Sequence, residues 1–153
     1  MKTLLFAFTL AISTMSAFGN EYLTFEEIED SGALKADFPS VRISDAIGVK
    51  NVSIKNFCMS ADETTLESLV PIMLCDSVEM WGGGNILCGE ESLQYVSVPN
   101  RYFTYKCVHP RCYKREKTEH SYSKTILIPV RSTHPRRMHT KLYDKEYTIP
   151  TCE

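Results

Sequence analysis

The chain has 153 residues, a formal net charge of −2 and six cysteines. That length is one domain's worth and is enough to bury a real core. The near-neutral total argues against a dedicated polyanion site, which would bias the charge upward.

Met1-Lys2 supplies one positive charge, Leu4–Ile12 is an apolar run broken only by Thr9, and Ser13–Gly19 shifts to small residues. This is the three-part form of a secretory signal, with Ala17 and Gly19 at the −3 and −1 positions of a cleavage site. The apolar run is too short to span a bilayer core of roughly 30 Å. Residues 1–19 are therefore expected to be a signal peptide and residues 20–153 a single disulfide-stabilised globular domain, secreted or periplasmic. The later apolar stretches, Leu69–Cys75 and Ile126–Val130, are each interrupted by a proline, so no membrane span is expected.

Thr24 and Glu27 are spaced as a capping box. A short helix should follow, with Phe25 and Ile28 on one face and Gly32 at its end. Ser31–Ser40 reads as a loop. Val52, Ile54 and Phe57 lie near strand alternation and lead into Cys58. Ser60 and Glu63 form a second capping-box candidate, with Leu66, Leu69, Val70 and Met73 at helical spacing until Pro71 limits the helix to about two turns. Gly82-Gly83-Gly84 reads as a loop held at its base by Cys75, Cys88 or both. It is not a phosphate cradle, because Asn85-Ile86-Leu87 follows instead of Lys-Ser/Thr.

The second half reads as β. Leu93–Val98 and Tyr102–Val108 flank Pro99-Asn100, which predicts a hairpin with Val96 facing Phe103. Thr125–Val130 should be a third strand, with Pro129 at an edge or strand end, and Lys141–Ile149 a fourth. The expected fold class is α+β and β-rich: an antiparallel sheet mainly from residues 92–150, one or two short helices, and about three disulfides.

An even set of cysteines (Cys58, Cys75, Cys88, Cys107, Cys112 and Cys152) in a chain with an export signal predicts three disulfides. Two arrangements suit the hairpin. A bulge at Gly89 would permit Cys88–Cys112, whereas a local Cys107–Cys112 bridge would leave Cys88 for Cys75. Oxidation would also remove the ligands of a metal half-site at Cys107, His109 and Cys112, so no metal or other cofactor is expected.

Charge is uneven: residues 20–91 hold fourteen Asp/Glu against four Lys/Arg, and residues 92–153 hold twelve Lys/Arg against five Asp/Glu. Arg131, His134, Arg136, Arg137, His139 and Lys141 form the densest basic segment. Arginine forks suit sulfates, phosphates and carboxylates, so these six residues are the candidate binding site. Asn51-Val-Ser53 is an N-glycosylation sequon. There is no Gly-x-Ser-x-Gly elbow and no His-Glu-x-x-His motif.

The sequence thus points to a non-catalytic binding or interaction domain. Its partner would be a protein or an anionic ligand outside the cytoplasm, and nucleic acid is not expected. The alternative is a small secreted hydrolase, nuclease-like, drawing on His109 or His120 with His134 or His139. The exported protein should begin at or within a few residues of Asn20. Amino-terminal sequencing checks this, and an intact Met1 on exported material would contradict it.

Overall fold

The structure is a computed structural model that describes residues 23–108, 111–137 and 140–153. The expected signal peptide lies outside these residues. Thr24 caps the one α-helix among the described residues, α1 (Phe25–Asp30): its side chain accepts the Glu27 N–H while the Glu27 carboxylate accepts the Thr24 N–H. The Thr24 backbone and side-chain donors hold the Glu27 carboxyl below the ordinary range. Gly32, at φ 62°, takes the chain out of the helix in the left-handed region.

Twelve strands follow. They are β1 (Leu34–Ala36), β2 (Ser40–Asp45), β3 (Gly48–Ser53), β4 (Phe57–Met59), β5 (Thr65–Ser68), β6 (Ile72–Trp81), β7 (Asn85–Gln94), β8 (Ser97–Pro99), β9 (Tyr102–Cys107), β10 (Arg115–His120), β11 (Thr125–Ser132) and β12 (Lys141–Thr148). They form five small sheets: β1-β11-β12, β2-β3, β4-β5-β8, β6-β7 and β9-β10. Every strand pair is antiparallel.

The protein is β-rich with three disulfides, but the expected distribution is wrong. Seven strands precede residue 95, so strands are not concentrated in 92–150, and the α part among the described residues is one helix of six residues plus 3-10 turns at Ile54–Asn56 and Pro135–Arg137. The expected loop 31–40 contains β1. The expected second helix is instead the β4–β5 hairpin: the Ser60 side chain accepts the Thr65 N–H, and Glu63 adopts φ 58° to close the turn. Burial of Leu66 and Ser68 around exposed Glu67 is a period of two, which overrides the apolar spacing of three and four.

The Pro99-Asn100 hairpin does not form. β8 pairs with β5, setting Val98 opposite Leu66, and β9 pairs with β10, setting Phe103 opposite Glu119. Asn100 is 6% exposed and acts as a cross-link. Its side-chain amide donates to the Glu63 and Tyr122 carbonyls and accepts the Tyr122 N–H, while its own N–H donates to Thr64. A side chain committed to three distant backbone groups carries the chain across the molecule instead of doubling it back.

Pro129 sits in the central strand of its sheet, not at an edge. Its carbonyl accepts the Asp37 N–H, so its donor-less nitrogen faces the β1 side at the point where β1 has already ended at Ala36.

The main core gathers Val41, Ile43, Ile54, Phe57, Met59, Leu66, Ile72, Leu74 and Ile149, and a smaller one gathers Ile28, Ala36, Ile128 and Val130. Phe38, Ile126 and Tyr147 pack against both. Phe25, Phe38 and Tyr147 meet at ring-centroid distances of 4.9, 5.1 and 5.6 Å.

The bridges are Cys58–Cys152, Cys75–Cys88 and Cys107–Cys112. Of the two arrangements open from sequence, the local one is present. Gly89 is bulged, as β7 needs, but the bulge serves the β6–β7 pairing and not a Cys88–Cys112 bridge.

Asn100→Ala should destabilise the oxidised protein by about 2–4 kcal/mol, since it removes the partners of one part-buried N–H and two part-buried carbonyls together. Chemical denaturation under non-reducing conditions measures the loss.

Candidate functional site

The basic segment spans the end of β11, the connection to β12 and its first residue. Arg131 and Lys141 lie opposite one another across a β-bulge. Each already has an acid in the same chain: Arg131 Nε lies 2.5 Å from Asp37, and Lys141 Nζ lies 2.6 Å from Asp144. These partly exposed pairs contribute at most about 1 kcal/mol each. Between them, His134 and Arg136 are exposed, and the His134 Nδ1 accepts the Arg136 N–H at 3.3 Å. Arg137 ends the 3-10 turn, and His139 lies outside the described residues. Two cations of the predicted site are therefore turned to internal pairing, and His134 and Arg136 stand in solvent.

His120 contacts Thr104 and Tyr102. Its Nε2 is 2.8 Å from the Thr104 hydroxyl and its ring stacks on Tyr102, which stacks in turn on Tyr122. Burial raises the Tyr122 phenol pKa, with Tyr102 adding to the rise. His109 lies outside the described residues, and Cys107 and Cys112 are bonded to each other. Cys58, Glu67 and Cys152 cluster at ligand distance, but those two sulfurs are also one disulfide and offer no thiolate.

The feature that sequence reasoning misses lies on the β6–β7 ribbon. Gly82-Gly83-Gly84 turns the chain, with Gly83 and Gly84 at φ 93° and 82°, so the triple glycine is used for backbone shape. Offsets around Asp76 and Gly89 bend the ribbon, and Cys75 and Cys88 are bridged at a Cα–Cα distance of 5.7 Å. Beyond that bridge both faces are open. Val78, Met80 and Ile86 lie on one face, Trp81 and Leu87 on the other, and Met80 and Trp81 remain 83% and 67% exposed. The available signal is the chain's only tryptophan, set directly against the glycine run.

A second ribbon, β9–β10, is closed by Cys107–Cys112 and exposes Tyr105, Val108 and Tyr113. The two ribbons carry opposite charge. Residues 56–100 contain seven acids and no Lys or Arg, whereas residues 101–124 contain seven Lys/Arg and two acids. None of the ion pairs Lys35–Asp37, Lys50–Asp45, Lys55–Glu29, Arg131–Asp37 and Lys141–Asp144 joins the two ribbons.

The root of the β6–β7 ribbon is anchored by Asp45, whose side chain is 1% exposed. Its carboxylate accepts N–H bonds from Ile47, Gly48 and Cys75 at 3.2, 3.0 and 3.3 Å, and the Ala46 N–H donates to the Cys75 carbonyl. Lys50 lies 3.9 Å away and also donates to the Met73 carbonyl.

No protein-family model, curated protein or solved structure matches the chain.

Burial alone would raise the Asp45 pKa, but the three backbone donors and Lys50 outweigh it and leave it lowered. A carboxyl shifted this way stabilises the fold fully above its unfolded value of about 3.9 and loses that contribution as pH falls through its lower folded value. Asp45→Asn should therefore be less stable than wild type at neutral pH, with the gap closing under strongly acidic conditions. Paired denaturation curves at the two pH values test this.

Proposed function

We propose that the chain is an exported interaction domain, residues 20–153 after removal of residues 1–19, acting in the secreted or periplasmic space by binding another protein without catalysis. Three disulfides suit an oxidising compartment, and no helix among the described residues is long and apolar enough to cross a membrane.

The observation that carries the binding reading is the β6–β7 ribbon. An isolated two-stranded hairpin is marginal in water, so a disulfide at its base holds a shape that burial does not. Large apolar side chains gathered on an exposed, covalently held element mark a contact surface. With acids around it and no cation in residues 56–100, the ribbon suits an apolar pocket ringed by Lys or Arg on the partner. Arg131, His134, Arg136, Arg137, His139 and Lys141 are the proposed contact for anionic groups on the same partner.

The test is capture from the extracytoplasmic fraction of the source cells, comparing wild type with Met80→Ser/Trp81→Ser. Because both side chains are exposed, the double variant should keep its stability to within about 1 kcal/mol. The wild type should retain a protein that the variant loses. Equal capture by both would remove the ribbon from the binding surface.

A further inference from the structure

A groove of about 500 Å³ runs between β2 and β8. Its floor is apolar, made by Val41, Ile43, Leu74 and Val98, and so is continuous with the main core. Arg42, Arg101 and Phe103 also line it. Each long wall is the outer strand of its sheet: β2 pairs only with β3, and β8 only with β5.

The direction of the backbone groups on these walls follows from bonds at the strand ends. Successive residues of a strand point their N–H and C=O groups to alternate sides. The Pro39 carbonyl accepts the Ile54 N–H on the β3 side, while the Ala46 N–H donates away from β3 to Cys75. The even-numbered residues of β2 therefore face outward, which directs the N–H and C=O groups of Arg42 and Ser44 at the groove. On β8, the Val96 carbonyl accepts from Ser68 and the Asn100 N–H donates to Thr64, both on the β5 side. The odd residues thus face the groove. Pro99 has no N–H and its carbonyl accepts the Arg101 N–H, which leaves the Ser97 pair as the open backbone on that wall.

Open main-chain groups beside an apolar floor are what strand addition requires. The rim decides the chemistry of the occupant. Arg42 and Arg101 are exposed and form no ion pair among the described residues. Lys117 Nζ lies 3.6 Å from the Phe103 ring centroid and adds a third cation beside the groove. We propose that this groove receives an extended, carboxylate-bearing segment of a partner protein, which adds as a strand to the free edge of β2. Apolar side chains of the segment would alternate onto the floor, and its acids would face Arg42 and Arg101.

The probe is a phage-displayed library of random linear peptides, panned against the oxidised protein. Enriched peptides should alternate apolar and acidic residues. Their synthetic forms should slow amide exchange at Arg42, Ser44 and Ser97, and N-methylation of alternate peptide bonds should abolish binding. Arg42→Glu/Arg101→Glu should weaken binding about tenfold or more. Met80→Ser/Trp81→Ser should leave it unchanged, which separates this groove from the ribbon. No enrichment, enrichment without carboxylates, or unchanged exchange at the three amides would each overturn the proposal, as would a second copy of the chain as the groove's occupant. Should the arginine double variant misfold, the exchange measurement on wild type decides alone.

Discussion

None of the five sheets has more than three strands, and three of them have two. Ribbons that narrow are marginal in water without something to pack against. The molecule therefore depends on shared burial around Phe57, Ile54, Leu66, Met59 and Ile149, to which strands from separate sheets contribute. Burying each such side chain stabilises the fold by about 1.5–3 kcal/mol, and removing the Phe57 ring would cost about 3–5 kcal/mol. Asn100 does for the polar chain what Phe57 does for the apolar one. Its amide, placed between β8 and β9, ties the turn at Glu63 to the segment at Tyr122, two places that do not pair directly with each other.

The same constraint explains where the disulfides lie. Cys75–Cys88 and Cys107–Cys112 sit on ribbons whose far ends, among the described residues, add no side chain to either core, and there a covalent closure replaces packing. Stability and exposure are thereby uncoupled. Met80 and Trp81 can stay in solvent without threatening the fold. Acids are concentrated around one ribbon and bases around the other, and none of the ion pairs named above joins the two.

What the sequence makes legible is local. The Thr24–Glu27 box, the glycine turn between Cys75 and Cys88, and the strands at Thr125 and Lys141 all depend on neighbours a few residues apart, and all are present. Misreadings fall where pairing is distant. Val98 belongs opposite Leu66, and nothing near Pro99 encodes that choice; the turn chemistry of Pro-Asn instead suggests a reversal that buried bonds to Asn100 forestall. Leu66, Leu69, Val70 and Met73 fit helical spacing, but only Leu66 is buried, so their periodicity never described a real face. The basic segment is visible in composition, but Asp37 and Asp144 as counter-ions for Arg131 and Lys141 depend on the fold. The β2–β8 groove is hidden altogether, because an open strand edge is defined by which partner is absent.

The Cys58–Cys152 bridge closes a sequence separation of 94 residues, and beside it Met59 exchanges backbone bonds with Pro150 and Cys152. Met59 and Phe57 on β4 lie at the centre of the main core, yet this lock on β4 can be set only when residue 152 is available. A chain emerging amino-end first would hold Cys58 as a waiting thiol while the next 94 residues are made. During that interval four other cysteines appear, and the two short-range bridges, at separations of 13 and 5, have time to form first. The two short-range bridges can therefore be complete before Cys152 arrives, provided Cys58 has not first engaged Cys75, and the last covalent bond is left to the last pair.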